Sequence, residues 1–486
     1  MKPLKVLSVA SEAVPLVKTG GLADVVGALP AALAQHDIAM TTFLPGYPAV
    51  MAAIGKAKRL HKWDALLGEP AQLLGTKIGK HDVLVLDAPG YFTREGNPYT
   101  DAAGKDWGDN WRRFAAFGRA AADIASGAVK KLSFDVLHAH DWQAAMSLAY
   151  LRYAPFRPEP AVPGVMTIHN MAFQGWYDPR IFASLELPKQ AWSIDGVETY
   201  GGVGFLKSGL QLADMVTTVS PTYAREIIRA EFGMGLEGLV ASRGERVRGI
   251  VNGIDTDEWN PADDPALAAN YTARTLAKRK ANKRALEEHF GLEAGDGPLF
   301  IMVTRLTWQK GADVVPEVLD HLVGNGGRLA LLGSGDAEIV DALTKGAARH
   351  PGKVGLHFGY DEALSHLMQG GGDAILVPSR FEPCGLTQLY GLAYGCVPVV
   401  ARTGGLSDTI IDANPAALAA GAATGIQFDG VHYHALASAI SRTVELYRQP
   451  KLWQKIQRRG MSADFSWARS GAEYAAIYRQ LVEEKA

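Results

Sequence analysis

Arg305 and Lys310 stand five residues apart in VTRLTWQKG (303–311), a Gly-ended loop that follows an apolar run. Two cations so placed can neutralise the charge that grows on a departing diphosphate, a task given elsewhere to a metal ion. Taken alone, they read better as two solvated surface cations. A carboxylate joins them in PSRFEPCGLTQLYGLAYG (378–395), where a strand pattern ends at Pro378-Ser379-Arg380, Glu382 follows, and Gly385-Leu386-Thr387 opens a helix. The amides of residues 384–387, Cys384 to Thr387, are expected to face an anion or sugar hydroxyls, and Glu382 can accept hydrogen bonds from a hexose. Preceding a proline, Glu382 is restricted to extended geometry, which aims its side chain away from the helix.

A second anion corner is expected near the N-terminus, where Lys18, Gly20 and Gly21 lie in VKTGGLADVVGALP (17–30) between an apolar run and a helix pattern. Glycine lets a ligand approach the backbone, and a helix N-terminus favours negative charge. The Gly-Gly corner recurs as ARTGGL (401–406). Two further strand ends carry HAHDW (138–142) and TIHN (167–170). His-x-His-Asp has part of the form of a metal site, but a hydrolytic metal needs more ligands, and His169 is the next candidate. The favoured reading places Asp141 and His169 as polar groups facing a sugar, with Trp142 as a stacking face; buried, satisfied histidines are the bland alternative.

Other motifs are discounted. Asp255-Thr256-Asp257 has the Asp-x-Asp form but sits in a linker-like stretch and reads as a solvated turn, and Gly333-Ser334-Gly335 lacks the third glycine of a dinucleotide fingerprint. No phosphate-binding Gly-x-x-x-x-Gly-Lys-Ser/Thr loop and no Gly-x-Ser-x-Gly elbow occurs.

These residues need strands that end where chemistry is wanted. KVLSVA (5–10), DVLVLDA (82–88), DVLHAH (135–140), GVMTIHN (164–170) and MVTTVS (215–220) read as buried parallel strands. After VRGIVNGI (247–254) the pattern restarts with PLFIMVTRL (298–306), GRLALLGSG (327–335), KVGLHFG (353–359), AILVPSR (374–380) and VPVVART (397–403). The expectation is an α/β chain of two doubly wound units in tandem, residues 1–250 and 251–463, with a C-terminal helix over 464–486 joining the first. Ligands of such sheets sit beyond the carboxyl ends of the strands, which is where the motifs fall.

Composition limits the partners. With 48% hydrophobic and 21% charged residues and a net charge of −2, nothing draws the chain to nucleic acid or an anionic membrane. Only Cys384 and Cys396 occur, which excludes a disulfide framework. The N-terminal apolar core LSVA is too short for a signal peptide, and no apolar run approaches the roughly 20 residues that span a bilayer. A soluble cytoplasmic protein is expected.

Together, KTGGLADV (18–25), HAHDWQ (138–143), TIHN (167–170), VTRLTWQKG (303–311) and PSRFEPCGLTQLYG (378–391) resemble the bacterial glycogen synthases and plant starch synthases, in the family's order and over about residues 5–470. The resemblance implies a GT-B fold, two Rossmann-like domains flanking a deep cleft, and retaining transfer of glucose from ADP-glucose to an α-1,4-glucan without a cofactor or metal. It implies that Lys18, Gly20 and Gly21 contact the diphosphate from one domain, and Arg305 and Lys310 from the other. Asp141, Trp142, His169 and Asn170 would line the acceptor and glucose side, while Glu382, Cys384, Gly385, Leu386 and Thr387 would cradle glucose and phosphate. Tyr360 looks like the family's adenine-stacking residue, and Asn252 matches a further asparagine of the cleft. Tyr390 stands where the wider superfamily often has a ribose-binding glutamate, so no ribose contact is assigned to it. A non-catalytic glucan-binding homologue need not keep Arg305, Lys310 and Glu382 together, a hydride-transferring oxidoreductase lacks its fingerprint, and a sucrose- or trehalose-forming transferase is disfavoured by KTGGL and EPCGLTQ.

Overall fold

The computed structural model describes residues 3–153 and 161–485, which form two compact units: residues up to 253 with 467 onward, and residues 254–466. The N-terminal unit is built on nine strands: β1 Leu4–Val9, β2 Ile38–Pro45, β3 Lys58–Leu66, β4 Glu69–Ile78, β5 His81–Asp87, β6 Val136–His140, β7 Gly164–Ile168 and, later in the chain, β11 Met215–Thr218 and β12 Val247–Gly249. They lie in the order β12-β11-β7-β6-β1-β2-β5-β4-β3. Between β7 and β11 in sequence, β8 Trp176–Tyr177, β9 Glu198–Thr199 and β10 Gly202–Gly204 make a small antiparallel sheet of their own. The C-terminal unit has six parallel strands, β13 Leu299–Val303, β14 Arg328–Gly333, β15 Val354–Phe358, β16 Ala374–Val377, β17 Val397–Ala401 and β18 Ile426–Phe428, ordered β15-β14-β13-β16-β17-β18.

Both orders reverse direction once. The reversal falls between β1 and β6 in the first sheet and between β13 and β16 in the second. At such a point two neighbouring loops leave in opposite directions and open a crevice beyond the strand ends. The two crevices are therefore framed by the loops after β1 and β6, and by those after β13 and β16. These loops hold the motifs singled out in the sequence.

Strand burial follows the composition. The central strands β6, β7, β11, β13 and β14 are buried almost throughout, as strands covered on both faces must be. The helix Asp141–Tyr153 is buried along most of its length, and the 110–125 helix reaches it through Gly118, where a Cβ would lie 2.8 Å from the Ser147 nitrogen. One departure from the sequence reading is the β3–β4 edge, which pairs antiparallel and meets β5 antiparallel, so the first sheet is mixed. Its turn, Leu67-Gly68, has positive φ at both residues, as a tight hairpin requires. β3 carries Lys58, Arg59, Lys62 and Asp64 and is largely exposed, as suits an edge that must not pair further.

The helix Trp467–Lys485 packs its Trp467, Tyr474, Ile477, Tyr478 and Leu481 with Val25, Leu29, Leu33 and Met40 of the N-terminal unit. Cys384 and Cys396 are both buried and are not joined in a disulfide. Among the described residues, no helix is long and apolar enough to cross a membrane.

Candidate active site

In the C-terminal unit, the loops after β13 and β16 are locked together. Arg380 spans them: its guanidinium makes a bidentate pair with Asp313, donates to the Trp308 carbonyl and lies 4.5 Å over the Trp308 ring. The Arg380 amide donates to the Gln309 carbonyl at 2.9 Å. Gly311 makes the approach possible, with φ at +65° and a Cβ position only 1.9 Å from the Pro378 carbonyl oxygen. Any larger residue would push the loops apart. Gly333 and Gly335 of the discounted glycine motif serve the neighbouring contact, their Cβ positions lying 2.0 Å and 2.2 Å from the Thr304 and Leu306 carbonyls.

This clamp brings Lys310 to Glu382. Lys310 Nζ is 2.5 Å from Glu382 Oε2, and the Ser379 hydroxyl donates to the same oxygen at 2.9 Å. Both charged side chains are largely withdrawn from water, where an ion pair is screened weakly and its partners depend on each other. They border a cavity of about 60 Å³ whose wall also includes Thr304, Gly385, Leu386, Thr387 and Gln388. The helix Thr387–Tyr394 begins on this wall, and Leu386 at its N-cap supplies no side-chain hydrogen bond, so its first-turn amides keep their capacity for an anion. Gln388 donates to the Cys384 and Gly385 carbonyls while its buried Oε1 has no hydrogen-bond partner among the described residues. Sequence reasoning passed over Ser379, Thr304 and Gln388; only Ser379 carries a signal, as a hydroxyl three residues before the glutamate.

The Glu382 loop rests on the second Gly-Gly corner. The Gly405 amide donates to the Glu382 carbonyl at 3.1 Å, and a Cβ on Gly404 would sit 1.9 Å from that same oxygen. ARTGGL is thus a packing surface beneath the loop. Arg305 is exposed on its loop, and Cys384 is buried. Tyr360, 76% exposed, follows β15 and donates its hydroxyl to Glu362 at 2.9 Å. Tyr390 does not face open space but stacks on Trp259, with centroids 3.5 Å apart.

In the N-terminal unit, the corner after β1 is held from within by Glu12, a residue absent from the sequence reading. Buried to 3% exposure, its carboxylate accepts the Thr19 amide, the Thr19 hydroxyl and the Tyr99 hydroxyl. Lys18 and Gly20 are left exposed on the outer side of the loop; Lys18 pairs with Asp24 at 2.8 Å. A Cβ on Gly20 would meet nothing within 4 Å. Gly21 starts the following helix, which has no side-chain cap.

Asp141 ends β6 with φ at +55°, a left-handed turn that brings its carboxylate back over the ends of the neighbouring strands. Its Oδ1 accepts the His169 amide at 2.7 Å and the Asn170 amide at 3.4 Å. Burial pushes its carboxyl up to about 7 despite those two donors, and the nearby Glu12 adds to the rise. His169 Nε2 lies 3.0 Å from His140 Nδ1, whose other nitrogen is 3.1 Å from the Ser8 hydroxyl. His138 lies between the Tyr478 and Thr167 hydroxyls at 2.7 Å and 2.5 Å. Desolvation holds His138 and His169 down to about 3 and His140 well below its usual range, so all three rings are neutral at physiological pH. Asn170 accepts the Ala172 amide at 3.0 Å, and Asn252, after β12, keeps a buried Oδ1 without a hydrogen-bond partner among the described residues.

Trp142 needs correction. It is buried, with its ring against Phe114 at 5.0 Å, Tyr177 at 6.2 Å and Phe205 at 6.3 Å, so protein aromatics occupy the faces expected to receive a sugar. It belongs to the core under the helix that Asp141 begins.

Residues 5–242 match the starch synthase catalytic domain family, and residues 284–460 match the glycosyl transferases group 1 family. A glycogen synthase of Novosphingobium aromaticivorans is 68% identical over 99% of this chain and 99% of its own. One from Rhizobium johnstonii is 55% identical over 99% of this chain and all of its own. The chain belongs to the glycogen synthase family. The catalytic domain of Starch Synthase IV from Arabidopsis thaliana, solved bound to ADP and acarbose, superposes with a TM-score of 0.87 at 31% identity, covering 99% of this chain and all of that one. A sucrose-phosphate synthase from Thermosynechococcus elongatus, 17% identical with a TM-score of 0.60 over 99% of this chain and all of its own, shares the fold alone. As a glycogen synthase family member the chain has the two-domain GT-B architecture, and the conserved chemistry of the family is glucosyl transfer in α-glucan synthesis.

Proposed function

We propose that this glucosyltransferase takes glucose from ADP-glucose and adds it to the non-reducing end of an α-1,4-glucan with retention of configuration, using side-chain and backbone charge for the leaving diphosphate. The observation that carries this reading is the Lys310–Glu382 pair on the wall where the Thr387–Tyr394 helix begins, at the reversal point of the C-terminal sheet. A cation, first-turn amides and a hexose-binding carboxylate are the parts that a nucleoside-diphosphate sugar requires. Support for the donor and acceptor classes comes from the bacterial glycogen synthases and from the starch synthase that binds ADP and acarbose.

In this scheme Lys310 and Arg305 neutralise the diphosphate as the anomeric C–O bond lengthens, and the amides of Gly385 to Thr387 take part of the same charge. A well-held diphosphate needs no protonation to leave, unlike the alkoxide of a glycosidase. Glu382 turns from Lys310 toward the glucose hydroxyls. Lys18 and the open amides of Gly20 and Gly21 add anion contacts from the N-terminal unit, and Tyr360 offers an exposed ring for the base. Neutral His169 can donate to or accept from a sugar hydroxyl without placing a second cation beside the oxocarbenium-like carbon. Attack comes on the face from which the diphosphate departs, and the diphosphate takes the acceptor proton.

The test is incorporation of labelled glucose into glycogen from ADP-glucose and from UDP-glucose, with EDTA present. Incorporation from ADP-glucose alone supports donor choice and metal-free chemistry together. Incorporation that EDTA abolishes would overturn the role given to Arg305 and Lys310, and a UDP-glucose preference would overturn the donor.

A further inference from the structure

Away from the Lys310–Glu382 cavity, on the same C-terminal unit, Glu258, Glu362 and His366 bring one ligand atom each to within 4.8 Å of one another. Among the described residues this is the one grouping of three metal-ligating side chains. We propose that it is a binding site for a borderline divalent cation of the zinc or cobalt type.

The construction differs from a chance meeting of surface carboxylates. Glu362 and His366 are four residues apart on the helix Glu362–Gly371, so their side chains leave the same face and can chelate from a rigid base. Glu258 comes from the polar loop that opens the unit, so a cation would tie that loop to the helix. The imidazole is 8% exposed and fixed on three sides. Its Nδ1 lies 2.8 Å from the Asp264 carboxylate and 3.2 Å from the Tyr394 hydroxyl, and its face stacks on Trp259 with centroids 3.8 Å apart. With Nδ1 held by a buried carboxylate, Nε2 is the nitrogen left to a cation. A carboxylate behind a histidine is how metal-bound imidazoles are oriented and made more basic.

The donor set selects the class of ion. One imidazole and two carboxylates suit zinc or cobalt, with the remaining positions taken by water, whereas magnesium and calcium favour oxygen ligands throughout. Ligand atoms on a tetrahedral cation at about 2.1 Å stand roughly 3.4 Å from each other. The two glutamates are exposed and can close that difference by side-chain rotation while the histidine stays fixed. A cation there would compete with the Tyr360 hydroxyl for Glu362.

Cobalt(II) titration of the EDTA-treated full chain, followed by its visible d–d absorption and by equilibrium dialysis, tests the site. The expected result is one cobalt per chain, displaced by zinc, and an affinity reduced at least 10-fold in Glu258→Gln and in Glu362→Gln. Both substitutions alter exposed side chains, and unchanged circular dichroism and melting temperature show that any loss is not unfolding. No binding by the parent chain, or binding equally strong in the Glu258→Gln/Glu362→Gln double variant, overturns the proposal. The readout is independent of turnover, so failure of the glucosyl-transfer scheme leaves this test unaffected.

Discussion

The chain contains nearly the same pentapeptide twice, Lys18-Thr19-Gly20-Gly21-Leu22 and Arg402-Thr403-Gly404-Gly405-Leu406, each running into a helix that begins within it, at Gly21 and at Gly404. The first corner is open: Gly20 is exposed and has room for a side chain. The second is closed: Gly404 and Gly405 are buried, and their Cβ positions fall 1.9 Å and 2.2 Å from the Glu382 and Cys384 carbonyl oxygens. One glycine pair leaves open space beside the backbone, while the other lets protein backbone fill the equivalent space and support the Glu382 loop. A sequence pattern therefore specifies that something approaches the backbone closely, and tertiary structure decides what.

The largest effect should come from Gly404→Ala. At φ +43° and with its Cβ in collision with the Glu382 carbonyl, the substitution must move the Glu382 loop. A loss of at least ~3 kcal/mol in urea unfolding is expected, with turnover falling as the loop carries Glu382 off the cavity wall. Near-normal stability and rate would break the contrast between the corners.

Lys310→Ala comes next. It removes the cation that balances a buried Glu382, for a loss of about 3 kcal/mol, and reduces kcat by roughly 10²–10³-fold. Adding Glu382→Gln should restore much of the stability and none of the turnover, a combination that separates folding from chemistry.

The two units also differ in how they treat a buried carboxylate, since Asp141 has backbone donors but no cation beside it. Below pH 4 it is protonated whether the chain is folded or not. Between about 4 and 7 the unfolded chain ionises while the folded one holds its proton, so this group's contribution to stability declines as pH rises and is gone above 7. Asp141→Asn keeps an oxygen for the His169 amide and removes the titration. Relative to the parent, it should gain on the order of 2–3 kcal/mol in urea unfolding between pH 5 and pH 8. His138 and His169 act oppositely, losing stability as pH falls from about 6.5 toward 3, and that acid limb should persist in the variant.

The smallest structural effect belongs to Gly20→Ala, where φ is −159° and any residue is accommodated. Stability should stay within ~0.5 kcal/mol of the parent, while KM for ADP-glucose rises by about 10-fold. A rise in KM without loss of stability would sharpen the difference from Gly404; no change in KM would remove the first corner from the site.

Much of this was legible in the chain. Periodicity gave the central strands, because a strand covered on both faces must be apolar throughout, and the strand ends then located Asp141, His169, Arg305, Lys310 and Glu382. The antiparallel edge escaped notice because β3 is charged and half solvated, which is what an edge requires and what periodicity reads as loop. Glu12 was hidden for another reason. Its task is to hold Thr19, seven residues on, and Tyr99, 87 residues away, and no local pattern encodes that contact. Trp142 was misjudged because the flat face that suits a sugar also suits Phe114, Tyr177 and Phe205, and only the fold shows which arrives.

The return of the helix Trp467–Lys485 to the N-terminal unit has a consequence for biosynthesis. The first 253 residues emerge from the ribosome without the segment that covers Val25, Leu29 and Leu33 and that carries Tyr478 to His138. About 200 residues of the other unit are made in between, an interval of roughly 10–40 s at ordinary elongation rates. Through that interval the nascent chain exposes an apolar stripe and a histidine that still lacks the Tyr478 hydroxyl, and the unit begun first is the one completed last.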